Sequence, residues 1–260
     1  MDASATIDLG SFDFGPWRLR AGEPIHLGVV VEGIAGEGDA PADYVNDVLL
    51  TTEHREAFFS LVDRAGLVVC RNVGGDDARH RDVRGRSSRG RLSQGEFFHH
   101  DGCSGPVKPR VLEIRCPYQD VARHTATAVA PFPEVVVAML SVLPPHLRLD
   151  DLARWHDLAT SGGPVDDWDE VQGALNRVVR RSMDAESQRA YLRDVDGAAR
   201  AYRAPWAMGE SRFIANANPV KTMQHRRAYL TEHTGFVPNG RLLKRWPAGP
   251  EVDDETLCAT

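Results

Sequence analysis

The sequence predicts an α+β sandwich, and three observations lead there. Apolar, β-branched stretches gather toward both ends of the chain. Segments with helical spacing lie early and through the middle. The strict strand–helix alternation of a parallel βαβ array is missing, as is any GxGxxG or Walker loop. At 260 residues the chain fits one compact domain, 1–260, large enough to bury its core without staples.

Taken in order, "PIHLGVVVEGI" (24–34) reads as a strand ending at Gly33. "TTEHREAFFSLVDRAG" (51–66) has helical spacing, a threonine as N-cap, Glu53 in the first turn and Gly66 as stop. "LVVCRNV" (67–73) follows as a buried strand. Residues 74–94 are polar and rich in Arg and Gly, which suits a loop. "RVLEIRC" (110–116) and the alternating "TATAVA" (125–130) read as strands. "PEVVVAMLSVLPPHL" (133–147) reads as a helix stopped by its proline pair. Residues 150–203 are mainly helical, and strands return at 211–217, 222–230 and 241–246. The helical insert (150–210) and the Arg-rich stretch 84–91 are both placed to serve as a substrate lid.

Composition excludes several function classes. A net charge of −6 argues against nucleic acid, which demands a concentrated excess of Lys and Arg. No apolar run approaches the ~20 residues of a membrane span. The N-terminus "MDASATIDLGSFDFGP" lacks a basic segment followed by an apolar one, so a cytoplasmic location is expected. Cys70, Cys103, Cys116 and Cys258 form no CxxC pair and read as reduced thiols. Oligomeric state is not encoded in any pattern we recognise.

The chemistry concentrates in "GEFFHHDG" (95–102). Side chains on a strand alternate between faces, so His99 and Asp101 converge on one side and His100 points to the other. One imidazole and one carboxylate at a point require only a further histidine to make a 2-His-1-carboxylate triad. Such a set suits Fe(II) and leaves three coordination positions open. His225 and His233 are the available third ligands. Later, Arg241 and Arg245 stand four apart, on one face of a strand, and guanidinium is the group suited to gripping a carboxylate. His124, Tyr202, Trp206 and Cys103 read as edge or core residues, and the remaining histidines are scattered singly.

The order of these motifs carries a resemblance. A "GLVVCRNV" strand precedes the HxDG, a threonine lies some two dozen residues beyond, and "QHRRAY" and "GRLLKRW" close the chain. This resembles the Fe(II)/2-oxoglutarate dioxygenases of the taurine dioxygenase and clavaminate synthase type. Within that group, "GRGRLSQGEFFHHDG" and the HxR of "QHRRAY" are most similar to carbapenem synthase-type enzymes. The likeness spans roughly 24–247.

The resemblance implies a double-stranded β-helix (jelly-roll) core with flanking helices. It implies His99, Asp101 and His225 as iron ligands, His225 being favoured because it precedes Arg241 by the family's usual separation. Thr125 and Arg241 would hold the distal carboxylate of 2-oxoglutarate. Arg245 would assist or bind the substrate, and Arg227 would lie near the iron and bind either acid. Where relatives often have Asp-Asn-Arg before the distal histidine, this chain has "NPVKTMQH", with Lys221 in the arginine's place. Asp101 disfavours halogenation, because halogenating relatives lack that carboxylate. Hydroxylation, desaturation, cyclisation and epimerisation stay open. The implied activity consumes O₂ and 2-oxoglutarate, releases succinate and CO₂, and acts on a small molecule in bacterial natural-product biosynthesis. A jelly roll that binds metal or ligand without oxygenase chemistry is the competing expectation.

Overall fold

A computed structural model of the chain describes residues 13–14, 17–25, 27–34, 54–71, 81–82, 97–101, 109–115, 125–147, 165–207, 210–217, 222–229 and 242–246. Only the backbone course is described at 13–24, 32–34, 81–82, 125, 165–168, 227–229 and 242–246. The strands are β1 (Asp13–Phe14), β2 (Trp17–Ile25), β3 (Gly28–Ile34), β4 (Leu67–Arg71), β5 (Arg81–Asp82), β6 (Val111–Arg115), β7 (Thr125–Pro131), β8 (Ser211–Ala215), β9 (Met223–Tyr229) and β10 (Leu242–Trp246). The α-helices are α1 (Arg55–Ala65), α2 (Phe132–Ser141), α3 (Val165–Ser182) and α4 (Ala185–Ala198).

Eight strands form one sheet in the order β1-β2-β3-β4-β8-β6-β10-β5, while β7 and β9 pair in a second. Pairing is antiparallel except between β3 and β4, which run parallel. Gly28 permits that junction. It stands opposite Leu67, and a Cβ there would lie 2.0 Å from the Leu67 carbonyl oxygen. Three single-residue bridges among the described residues widen the smaller sheet: His99 pairs with His225 on one flank, and Val129 with Tyr202 and Ala126 with Pro205 on the other.

Strand alternation sorts the core into two clusters. On β8, Phe213 meets the Phe58 ring of α1 edge-on, with centroids 4.8 Å apart. The β8 residues and α1 share one apolar cluster with Val129, Met223, Tyr202 and Trp206. On β7, Ala126, Ala128 and Ala130 join the other cluster, against Phe132, Val136, Leu175 and Val195 of α2, α3 and α4. Alternate alanines keep that strand face flat enough for helices to approach. The β7–β9 sheet is thus packed on both faces, between the larger sheet and the helical layer.

Several expectations are refined here. The single strand expected over 24–34 is the end of β2 and all of β3, with the chain turning at Leu27. Pro24 sits at a register shift in β2, where its missing N–H is tolerated. α1 starts at Arg55 with His54 at the N-cap and no side-chain capping bond; Thr51 and Thr52 lie outside the described residues. Gly66 does end it, at φ 84°. α2 stops at Ser141, short of Pro144, because the residue before a proline avoids helical geometry; Pro145–Leu147 form a separate 3₁₀ turn. Of the helical stretch expected over 150–203, residues 150–164 lie outside the described residues; the rest holds α3 and α4, divided where the Asp184 carboxylate caps α4 by accepting from Ser187 N at 2.7 Å. Residues 84–91 lie outside the described residues. No helix among the described residues is long and apolar enough to cross a membrane.

Candidate metal centre

His99 and His225 are neighbours because their backbones pair. His99 N donates to His225 O at 3.1 Å, and His225 N donates to His99 O at 2.9 Å. Directly bridged residues share a face, and the two rings lie with centroids 4.5 Å apart. Asp101, two residues on from His99, returns to the same point. Its Oδ1 is 3.7 Å from His99 Nε2 and 3.5 Å from His225 Nε2. One ligand atom from each of His99, Asp101 and His225 lies within 4.8 Å of the others. Asp101 and His225 are buried and His99 half-buried, so the group opens on the His99 side.

Hydrogen bonding defines which nitrogen His99 presents. His99 Nδ1 is 2.8 Å from the Phe97 carbonyl oxygen. A carbonyl only accepts, so Nδ1 carries the proton and Nε2 keeps the lone pair a metal requires. The nitrogen facing Asp101 is that same Nε2. Asp101 is held through its backbone: its N–H donates to Asn216 Oδ1 at 2.8 Å, and Asn216 Nδ2 donates to its carbonyl at 3.0 Å.

His100 takes the opposite direction, as alternation requires. Its ring is buried edge-on against Phe132, with centroids 5.6 Å apart. Nε2 lies 3.6 Å from Asp169 Oδ1, and Nδ1 lies 3.4 Å from Gln224 Nε2. Gln224 pairs with Gln172 of α3 through two amide hydrogen bonds of 2.6 and 2.7 Å. Gln172 also donates to the Phe98 carbonyl at 3.2 Å. A polar seam therefore backs the strands that carry both histidines.

A second buried polar cluster links the two sheets. Arg212 of β8 is wholly buried; its Nε donates to Glu210 Oε1 at 2.6 Å. It also donates to Thr127 O at 3.3 Å and to Ala204 O and Pro205 O at 3.1 and 2.9 Å. Its guanidinium stacks over Trp206 at 3.9 Å and Tyr202 at 5.4 Å. Tyr202 and Trp206 are thus core residues, as expected, but polar-core residues. Burial pushes the Tyr202 phenol above its ordinary range. The Cys70 thiol is pushed well up by burial, with Glu113 and Glu210 nearby adding to the effect. It is therefore an unreactive thiol.

The other expected site residues fall at the margin of what is described. Thr125 opens β7 opposite Tyr229, four positions along the strand from Val129, the partner of His225. Arg227 pairs with Thr127. Arg245 lies on β10 opposite Leu112 in the larger sheet. Arg241, Lys221, His233, His124 and Cys103 lie outside the described residues. Residue reasoning missed Asn216, Glu210, Arg212, Gln172 and Gln224. Their one sequence signal is a polar residue inside an apolar segment, as at Arg212 and Asn216 in "SRFIANA".

No protein-family model matches the chain, and no curated protein matches it. Solved structures do. The complex of AAD-2 with Mn(II) and N-oxalylglycine aligns over 90% of this chain and 98% of its own, at 14% identity and a TM-score of 0.45. PvcB, an Fe, alpha-ketoglutarate dependent oxygenase from an isonitrile synthetic pathway, covers 91% and 93% at 12% identity and a TM-score of 0.46. A taurine dioxygenase from Burkholderia xenovorans covers 88% and 89% at 11% identity and a TM-score of 0.38. At such scores and identities the likeness does not assign this chain an activity.

Proposed function

We propose that this chain is a non-heme Fe(II)- and 2-oxoglutarate-dependent oxygenase, with His99, Asp101 and His225 as the metal ligands. The observation that carries the reading is the convergence of those three groups within 4.8 Å of one another. Two imidazoles and one carboxylate are the donor set that suits iron and keeps half of an octahedron available. Bound there, the iron would supply coordination of 2-oxoglutarate and activation of O₂, with succinate and CO₂ released.

The chain's own residues do the rest. The Phe97 carbonyl fixes the His99 tautomer, and the His99–His225 bridge sets the distance between the rings. Thr125, Arg241 and Arg245 are assigned to the 2-oxoglutarate carboxylate, and Arg227 with Arg245 to the substrate, on the sequence resemblance. The same reading makes residues 1–260 one domain with a double-stranded β-helix core, working in the cytoplasm. Its substrate is a small anionic or amino-acid-derived molecule from bacterial natural-product biosynthesis. It is oxidised by hydroxylation, desaturation, cyclisation or epimerisation.

The test is direct. Purified protein given Fe(II), 2-oxoglutarate and O₂ is expected to release succinate, and His99→Ala or Asp101→Ala protein is expected to release none. Undiminished turnover in either variant overturns the ligand assignment. Metal held without any uptake of 2-oxoglutarate points instead to a metal-binding protein without oxygenase chemistry.

A further inference from the structure

Resting on the metal-centre reading, we infer that Asn216 is the positioning residue that sets the Asp101 carboxylate. Asn216 is wholly buried, immediately after β8 in the larger sheet, whereas the His99–His225 bridge belongs to the smaller one. Its side-chain amide makes hydrogen bonds to the main chain in both senses. Oδ1 accepts from Asp101 N at 2.8 Å, and Nδ2 donates to Asp101 O at 3.0 Å and to Pro109 O at 2.8 Å. Its own N–H donates to Arg110 O at 2.9 Å, which anchors it at the start of β6.

The geometry explains why an amide is needed. Asp101 lies two residues beyond the bridged His99, at a turn, and Asn216 bonds both its N–H and its carbonyl from a side chain. A primary amide alone among short side chains accepts from an N–H and donates to a C=O with both atoms in fixed planar geometry. Aspartate has no donor when ionised, serine is too short to bond both groups, and leucine has the volume without the polarity. By fixing both peptide groups of Asp101, the amide limits its backbone and points Oδ1 between the two Nε2 atoms. The placement of a metal's carboxylate ligand is then decided by the larger sheet, and outer contacts of this kind typically change metal affinity by about 10–100-fold.

The experiment measures Co(II) binding by calorimetry, and the visible absorption bands of the Co(II) complex, on the full chain. Wild type is compared with Asn216→Ala, the volume-conserving Asn216→Leu, and Leu175→Ala as a control. Leu175 is wholly buried on α3, in an apolar cluster that contains none of the three ligands. Its truncation lowers thermal stability without touching Asp101. Both Asn216 variants are expected to bind Co(II) about tenfold or more weakly and with altered band positions. Leu175→Ala is expected to keep wild-type affinity and spectrum despite a lower melting temperature. Wild-type affinity and spectrum in Asn216→Leu or Asn216→Ala would overturn the role of Asn216 alone, as would an equal loss in Leu175→Ala. Absence of Co(II) binding by the wild-type protein would overturn the metal centre and the Asn216 role together.

Discussion

The two faces of β9 are built from alternate residues of one short segment, and they are used differently. Gln224 and Arg226 point to the helices, where each meets a dedicated protein partner. Gln224 pairs with Gln172, and Arg226 Nε donates to Asp196 Oδ1 at 2.7 Å, with a second, shorter contact to Oδ2. His225, between them, points to the opposite side, where it meets His99 and Asp101 at 3.5 Å or more, beyond the about 2.7–3.2 Å of an ordinary N–H···O bond. One face is closed by mutual hydrogen bonds and stabilises; the other gathers electron-pair donors around a common point. Alternation lets one strand do both, because neighbouring residues never compete for the same space.

That contrast predicts different consequences for neighbouring substitutions. The largest effect on function falls on the inward face: His225→Ala is expected to abolish Fe(II) retention and 2-oxoglutarate-dependent succinate release while the circular dichroism spectrum is unchanged. Iron measured by atomic emission at wild-type stoichiometry would refute the ligand role. On the outward face, one residue later, Arg226→Met strips Asp196 of its principal partner inside the protein. Removing one member of a buried pair costs about 3–5 kcal/mol. Chemical denaturation is expected to show that loss, with metal still bound by whatever fraction is folded. An unchanged midpoint would mean that the pair breaks even.

His100→Ala sharpens the comparison further, since it lies between two assigned ligands. It is expected to retain iron and to lose about 1–3 kcal/mol, because Gln224 and the packing against Phe132 lose a buried partner. Loss of iron with an intact fold would show that the face assignment is reversed.

The smallest effect belongs to the α4 cap. The bond from the Ser187 backbone holds the Asp184 carboxyl below its ordinary value of 3.8. A group with a depressed folded value contributes stability that is present above the unfolded value and lost as pH falls through the folded one. Asp184→Asn is therefore expected to melt much like wild type at neutral pH. Its stability should fall off less between about pH 5 and pH 2. Parallel acid titrations of the two proteins would contradict this.

Legibility follows the range of each interaction. The His99/Asp101 pairing and the exclusion of His100 were readable, because both depend only on the two-residue repeat of a strand. The end of α1 at Gly66 was readable for another local reason, glycine's freedom to adopt the positive φ that closes a helix. The turn at Leu27 was not: His26 and Gly28 interrupt the segment too briefly to mark a reversal, and only the pairing of β2 with β3 separates the two strands. Nor was the third member of the candidate metal centre readable from residues alone, where His225 and His233 were equivalent until the spacing of the resembled family favoured one.

By itself, then, the sequence determined which side chains could share a face: His99 with Asp101, Ala126 with Ala128, Gln224 with Arg226. The tertiary structure decided what those faces meet. It brought His225 beside His99 by a backbone bridge, and it set Asn216 against Asp101 across 115 positions of chain. It also buried Arg212 between the sheets, against Trp206 and Glu210. The physical reason is that strand periodicity is a property of one residue and its neighbours. The partner across a ladder, or across a sandwich, depends on how every intervening element packs.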